Sequence, residues 1–140
     1  MDVKKQIFTL AFSLFFCANY YCFTKERVYI IYNSFSCYNC NLQLKQYFDT
    51  SSFSKRKVRV TTVTQNPKMI RSAKKVYNGY KVKYLQKIID SIPESSLNHY
   101  NMHFPSVLIE KNGNFYFIPF RSLFIGTNIN SELLNKSIRY

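Results

Sequence analysis

The chain has 140 residues, of which 20 are Lys or Arg and 7 are Asp or Glu, for a formal charge of +13. With 13 Phe and 12 Tyr against only 3 Gly and 4 Pro, it is neither low-complexity nor collagen-like, and it can fill one small aromatic core. The few acidic residues are scattered, and no Ser/His/Asp set, Walker loop or GxGxxG is present, so hydrolase and nucleotide chemistry have little to work with.

Residues 1–23 read as a signal or anchor segment. Lys4 and Lys5 precede the uncharged run Ile7 to Ala18, which Asn19 to Phe23 extends. The run suits a signal-peptide core better than a full span of about 20 apolar residues. No small-x-small cleavage site falls in the right place. Phe16 and Tyr21 stand before Cys17 and Cys22, where a lipoprotein signal would want a small residue. The expectation is an uncleaved anchor or an atypical lipoprotein signal, lipidated at Cys17 or Cys22, with a buried N-terminal helix as the alternative. The positive-inside rule keeps Lys4 and Lys5 in the cytoplasm and puts residues 24–140 outside it, in the cell envelope.

Val28 to Tyr32 is apolar throughout, as a central strand buried on both faces requires. Asn33 to Ser36 breaks it, and Ser36 is placed to cap a helix starting near Cys37. Cys40, Leu44, Tyr47 and Phe48 form one apolar helical stripe. Asp49 to Ser54 reads as a loop. Lys57 to Thr64 alternates as a strand. Asn66-Pro67 opens helical text to Asp90, divided by Asn78-Gly79 and lined by Lys68, Arg71, Lys74, Lys75, Lys81, Lys83 and Lys87. Ser95 to His103 is loop-like. Pro105 to Ile109 and Phe115 to Ile118 flank Asn112-Gly113 as a hairpin, which Pro119 ends. A helix over Asn130 to Tyr140 closes the chain, packed through Leu133, Leu134 and Ile138.

The sum is an α/β domain: a mixed central sheet with helices on both faces, opened by a βαβ unit whose strands are parallel, and preceded by the apolar N-terminal helix. Cys37 and Cys40 are the only cysteines outside the apolar segment. They sit where a strand gives way to a helix. The positive helix N-terminus favours a thiolate at Cys37, and Cys40 lies one turn on, within disulfide reach and at the head of the apolar stripe. An exposed nucleophile followed by a protected partner suits thiol–disulfide exchange.

The strand Val28–Tyr32, the turn Phe35-Ser-Cys-Tyr-Asn-Cys40 and Phe104-Pro105-Ser106 together resemble the thioredoxin-like superfamily over about Arg27 to Tyr140. The resemblance implies a thiol–disulfide oxidoreductase, anchored in the membrane, with Cys37 and Cys40 catalytic. It implies that Pro105 is cis, faces the cysteines, limits metal capture and, with Phe104, holds a substrate backbone beside Tyr38 and Asn39. Ser36 stands where members often carry Trp, Tyr38-Asn39 where they often carry Gly-Pro, and the preceding strand has no acidic residue.

Other readings compete. The pair is also a candidate structural staple, although so small a loop gains little from closure. His99 and His103 have zinc-ligand spacing and, with the cysteines, form a candidate metal site. His103 alone is a candidate for tuning the Cys37 thiol. The basic segment Lys68–Lys87 is a candidate docking surface for anionic membrane. The favoured reading takes no cofactor and no metal. Its partners are protein thiols and disulfides and, through the N-terminal segment, the membrane; export makes nucleic acid an unexpected partner.

Overall fold

The computed structural model describes residues 26–33, 36–51, 58–94 and 105–139. The chain order is β1 (Arg27–Tyr32), α1 (Tyr38–Thr50), β2 (Arg59–Thr64), a 3-10 turn (Pro67–Met69), α2 (Ile70–Val76), β3 (Lys81–Tyr84), α3 (Gln86–Asp90), β4 (Ser106–Lys111) and β5 (Asn114–Ile118). After these come α4 (Phe120–Leu123), β6 (Phe124–Ile125), β7 (Asn128–Ile129) and α5 (Ser131–Arg139).

One five-stranded sheet runs β3-β2-β1-β4-β5. β1 pairs parallel with β2 and antiparallel with β4; β3 is parallel to β2, and β5 antiparallel to β4. The expected βαβ unit is therefore present, and β1 lies at the centre. Its side chains alternate between two cores, as period-two geometry demands. Val28, Ile30 and Tyr32 join Val107 and Ile109 under Leu44 and Phe48 of α1, Ala73 of α2, Tyr77, and Leu134 and Ile138 of α5. Tyr29, Ile31, Val63 and Leu108 face the other way, against Ile88 of α3 and Ile92. Helices thus pack on both faces. The hydroxyl of Thr62, buried in β2, has no hydrogen-bond partner among the described residues.

The β4–β5 turn forms as its sequence demands: Asn112 and Gly113 both take positive φ, 52° and 78°, the conformation of a tight two-residue hairpin. Two expectations are corrected, and one unassigned segment gains structure. The helical text of Asn66 to Asp90 is interrupted by a strand, β3, which follows Gly79 at φ 91°. Its Lys81-Val82-Lys83-Tyr84 alternation is only four residues long, and pairing with β2 overrides the helical pattern around it. α1 continues through Asp49 and Thr50. Phe120 to Ile129, given no structure from sequence, forms α4 and a small β6–β7 hairpin.

Among the described residues no helix is long and apolar enough to cross a membrane. The 1–23 segment lies outside the described residues.

Candidate functional site

The pair stands at the C-terminal end of the central strand. β1 stops at Tyr32 and α1 starts at Tyr38, so the reversal presents Cys37 at the helix mouth. Cys37 and Cys40 are joined as a disulfide with their Cα atoms 5.3 Å apart. The helix cap is not Ser36, as expected, but Cys37, whose Sγ accepts the Cys40 N–H at 3.2 Å. A sulfur in this place meets backbone N–H groups left unpaired at a helix start, the environment that stabilises a thiolate. Both cysteines are half-buried. Cys40 packs against the larger core, and the stripe of Leu44, Tyr47 and Phe48 behind it seats α1 on the sheet.

Ser36 works one step back. Its hydroxyl donates to the Asn33 carbonyl and accepts from the Asn41 side chain at 2.8 Å. Asn41 is fully buried, and its amide saturates three partners. Its Nδ2 also donates to the Cys37 carbonyl at 2.9 Å, and its Oδ1 accepts the Tyr77 hydroxyl at 2.7 Å. Asn33, also buried, donates through Nδ2 to Gln65 at 2.9 Å, which ties the end of β1 to the end of β2. The turn carrying the cysteines is therefore held from below by a closed polar network. Tyr77 is fully buried, its ring edge-on to Tyr32 and Tyr80. Burial, with Tyr32 and Tyr80 adding to it, pushes the Tyr77 hydroxyl well above the ordinary tyrosine range, so it stays a donor. Among the described residues the buried polar side chains are Asn33, Asn41, Thr61, Thr62 and Thr64, and none is a carboxylate that could take a proton from Cys40.

The flanking residues present a surface. Tyr38 is 62% exposed, Asn39 is exposed, and Leu42, one turn after Tyr38, is 38% exposed. Ser106 pairs with Ile31, so buried Pro105 enters β4 at the end of the sheet from which α1 springs. Phe104, and with it the bond expected to be cis, lies outside the described residues, as do His99 and His103. Among the described residues no three His, Cys, Asp or Glu side chains cluster as a metal site. Sequence reading missed Asn41 and Tyr77 as a unit. Asn41 was visible as a polar residue on the inward face of a helix, four residues from Cys37, but its partner lies 36 positions away.

A central parallel–antiparallel sheet with a Cys-x-x-Cys disulfide opening the helix after its central strand is compatible with a thioredoxin-like fold. Comparisons with protein-family models, with curated proteins and with solved structures find no match to this chain.

Proposed function

We propose that this chain is a thioredoxin-like thiol–disulfide oxidoreductase acting on protein substrates outside the cytoplasm, held at the membrane by residues 1–23. The observation that carries the reading is the position of the Cys37–Cys40 disulfide, with the first sulfur capping α1 beside exposed Tyr38. In the reducing direction the Cys37 thiolate attacks one sulfur of a substrate disulfide. The substrate S–S bond breaks, a mixed disulfide forms, and one substrate thiolate leaves. The Cys40 thiolate then attacks Cys37, forming the intramolecular disulfide and releasing the second substrate thiolate. The substrate gains two electrons and the protein loses them; in reverse, the protein donates its disulfide. Tyr38, Asn39 and Leu42 offer the contact surface, with Phe104 and Pro105 as a ledge for the substrate backbone. With no buried carboxylate among the described residues, proton transfer from Cys40 falls to water or a substrate group.

The test is direct. Cys37→Ser abolishes turnover of a model disulfide, and Cys40→Ser accumulates mixed disulfides on Cys37. Unchanged turnover in the Cys37 variant ends the proposal. A bond at this position also fits a structural staple. That reading gains if reduction lowers stability while no disulfide substrate is turned over.

A further inference from the structure

The charge of the chain is not spread evenly. From Thr50 to Ile89 there are eleven Lys or Arg and no Asp or Glu; the rest of the chain holds nine basic and seven acidic residues. The described part of this stretch makes up the β2–β3 flank of the sheet, with the 3-10 turn and α2 over one face and α3, which ends in Asp90, over the other. Arg59, Lys68, Arg71, Lys74, Lys75, Lys81, Lys83 and Lys87 are all exposed there. The ion pairs seen among the described residues, Arg27–Glu110, Lys45–Asp49 and Lys111–Glu26, use none of them.

The register sharpens the picture. Lys81 and Lys83 pair with Thr61 and Val63, so they lie on one face of the sheet, in the row that continues to Arg59. Val82, between them, packs into the core on the opposite side. Lys83 foremost, with burial and then Arg59 adding to it, pushes the Lys81 ammonium below its ordinary range, a like-charge crowding that an anion would relieve.

The partner follows from where the described chain begins, at Glu26 beside this flank. The backbone N–H of Arg59 donates to the Glu26 carbonyl at 3.2 Å. Phe23, the last residue of the uncharged run from Gln6, precedes Glu26 by three residues. Three residues reach at most about 11 Å. If the run sits in a bilayer, the basic flank is brought to that bilayer's surface, within the range over which headgroup charge acts.

We infer that the β2–β3 flank, with Arg59, Lys81 and Lys83 at its centre, is a docking surface for anionic phospholipid headgroups. The inference rests on the membrane tether of the proposed function and is independent of the cysteine chemistry. Arg59 lies level with the start of β1, away from the cysteine pair, whereas Lys83, level with Val63 and Ile31, lies nearer the end of β1 that leads to it.

The test uses the full-length chain and two vesicle types, phosphatidylcholine alone and phosphatidylcholine mixed with phosphatidylglycerol. Partition onto phosphatidylcholine reports the apolar run; the gain on adding phosphatidylglycerol reports the flank, so the two failures are distinguishable. Each basic residue at an anionic surface is worth about a fivefold gain, so R59Q/K81Q/K83Q lowers the phosphatidylglycerol gain by up to about a hundredfold. R121Q/K136Q/R139Q removes the same charge from the C-terminal helices and keeps most of the gain. For the unaltered chain the gain falls steeply with added salt. The inference is overturned by no gain, by a salt-insensitive gain, or by equal loss in both triple variants. It is also overturned if a DNA or RNA oligonucleotide binds the flank more tightly than the anionic vesicles and displaces the chain from them.

Discussion

The two faces of the sheet are built differently, and the cysteine pair is mounted on one of them. The α1/α2 face combines a broad apolar core with a fully buried Asn41–Tyr77 hydrogen bond. On the α3 face a smaller apolar cluster around Ile31, Leu108 and Ile88 is joined by a part-buried hydrogen bond from Tyr29 to Glu110 at 2.6 Å. Stability at the first face holds the turn that carries Cys37; stability at the second does not touch that turn. The lesson is that a reactive loop is fixed less by its own residues than by what lies under the first turn of its helix.

The comparison breaks most readily at the apolar layer. Leu44→Ala, in a fully buried position of α1, costs about 3–5 kcal/mol, while Ile88→Ala on the other face costs about 2 kcal/mol. Denaturant melts measure both, and equal losses would erase the distinction. Next in size is the clamp. Asn41→Ala strands the Tyr77 hydroxyl and leaves the Cys37 carbonyl with only the backbone N–H of residue 41, and costs about 1–3 kcal/mol. It also shifts the Cys37–Cys40 reduction potential, which Ile88→Ala does not; a potential unmoved in the Asn41 variant would show that the network does not position the sulfurs.

Tyr77→Phe is milder, about 1 kcal/mol at neutral pH. Its signature is in alkali. Burial raises the Tyr77 pKa in the folded chain, so the unfolded chain loses its proton first. Stability is intact below the ordinary tyrosine value of about 10 and falls as pH rises above it. Tyr77→Phe makes that fall shallower, read from unfolding midpoints across the alkaline range.

The smallest effect is at the far end of α1. Burial pulls the Asp49 pKa upward, but hydrogen bonds from Lys45 at 2.6 Å and from Tyr80 at 2.6 Å outweigh it and hold the carboxyl below its ordinary range. Its contribution is present above the unfolded value of about 4 and is lost as pH falls through the lower folded one. Asp49→Asn removes this part of the acid dependence and, because Asp49 also raises the Tyr80 hydroxyl, makes the alkaline fall slightly shallower.

What was legible in the sequence was local. Val28–Tyr32 announced a central strand by being apolar on both faces, and Asn112-Gly113 announced its hairpin because few other pairs accept two positive φ values. Cys37 and Cys40 were legible from spacing alone. What escaped depends on distant partners. β3 exists because β2 offers it an edge, and no periodicity within four residues says so. β6 and β7 are two residues each, too short for any pattern. The role of Asn41 needs α1 set against the end of α2, which only the folded sheet provides.

One feature of the helix mouth reaches beyond the exchange chemistry proposed for it. The atom that receives the Cys40 amide is itself the atom whose oxidation state changes. Ambient thiol poise therefore acts on how tightly that amide is held. Deuterium uptake at this single backbone site, followed from oxidising to reducing buffer, would let the molecule report its own redox state without any substrate present.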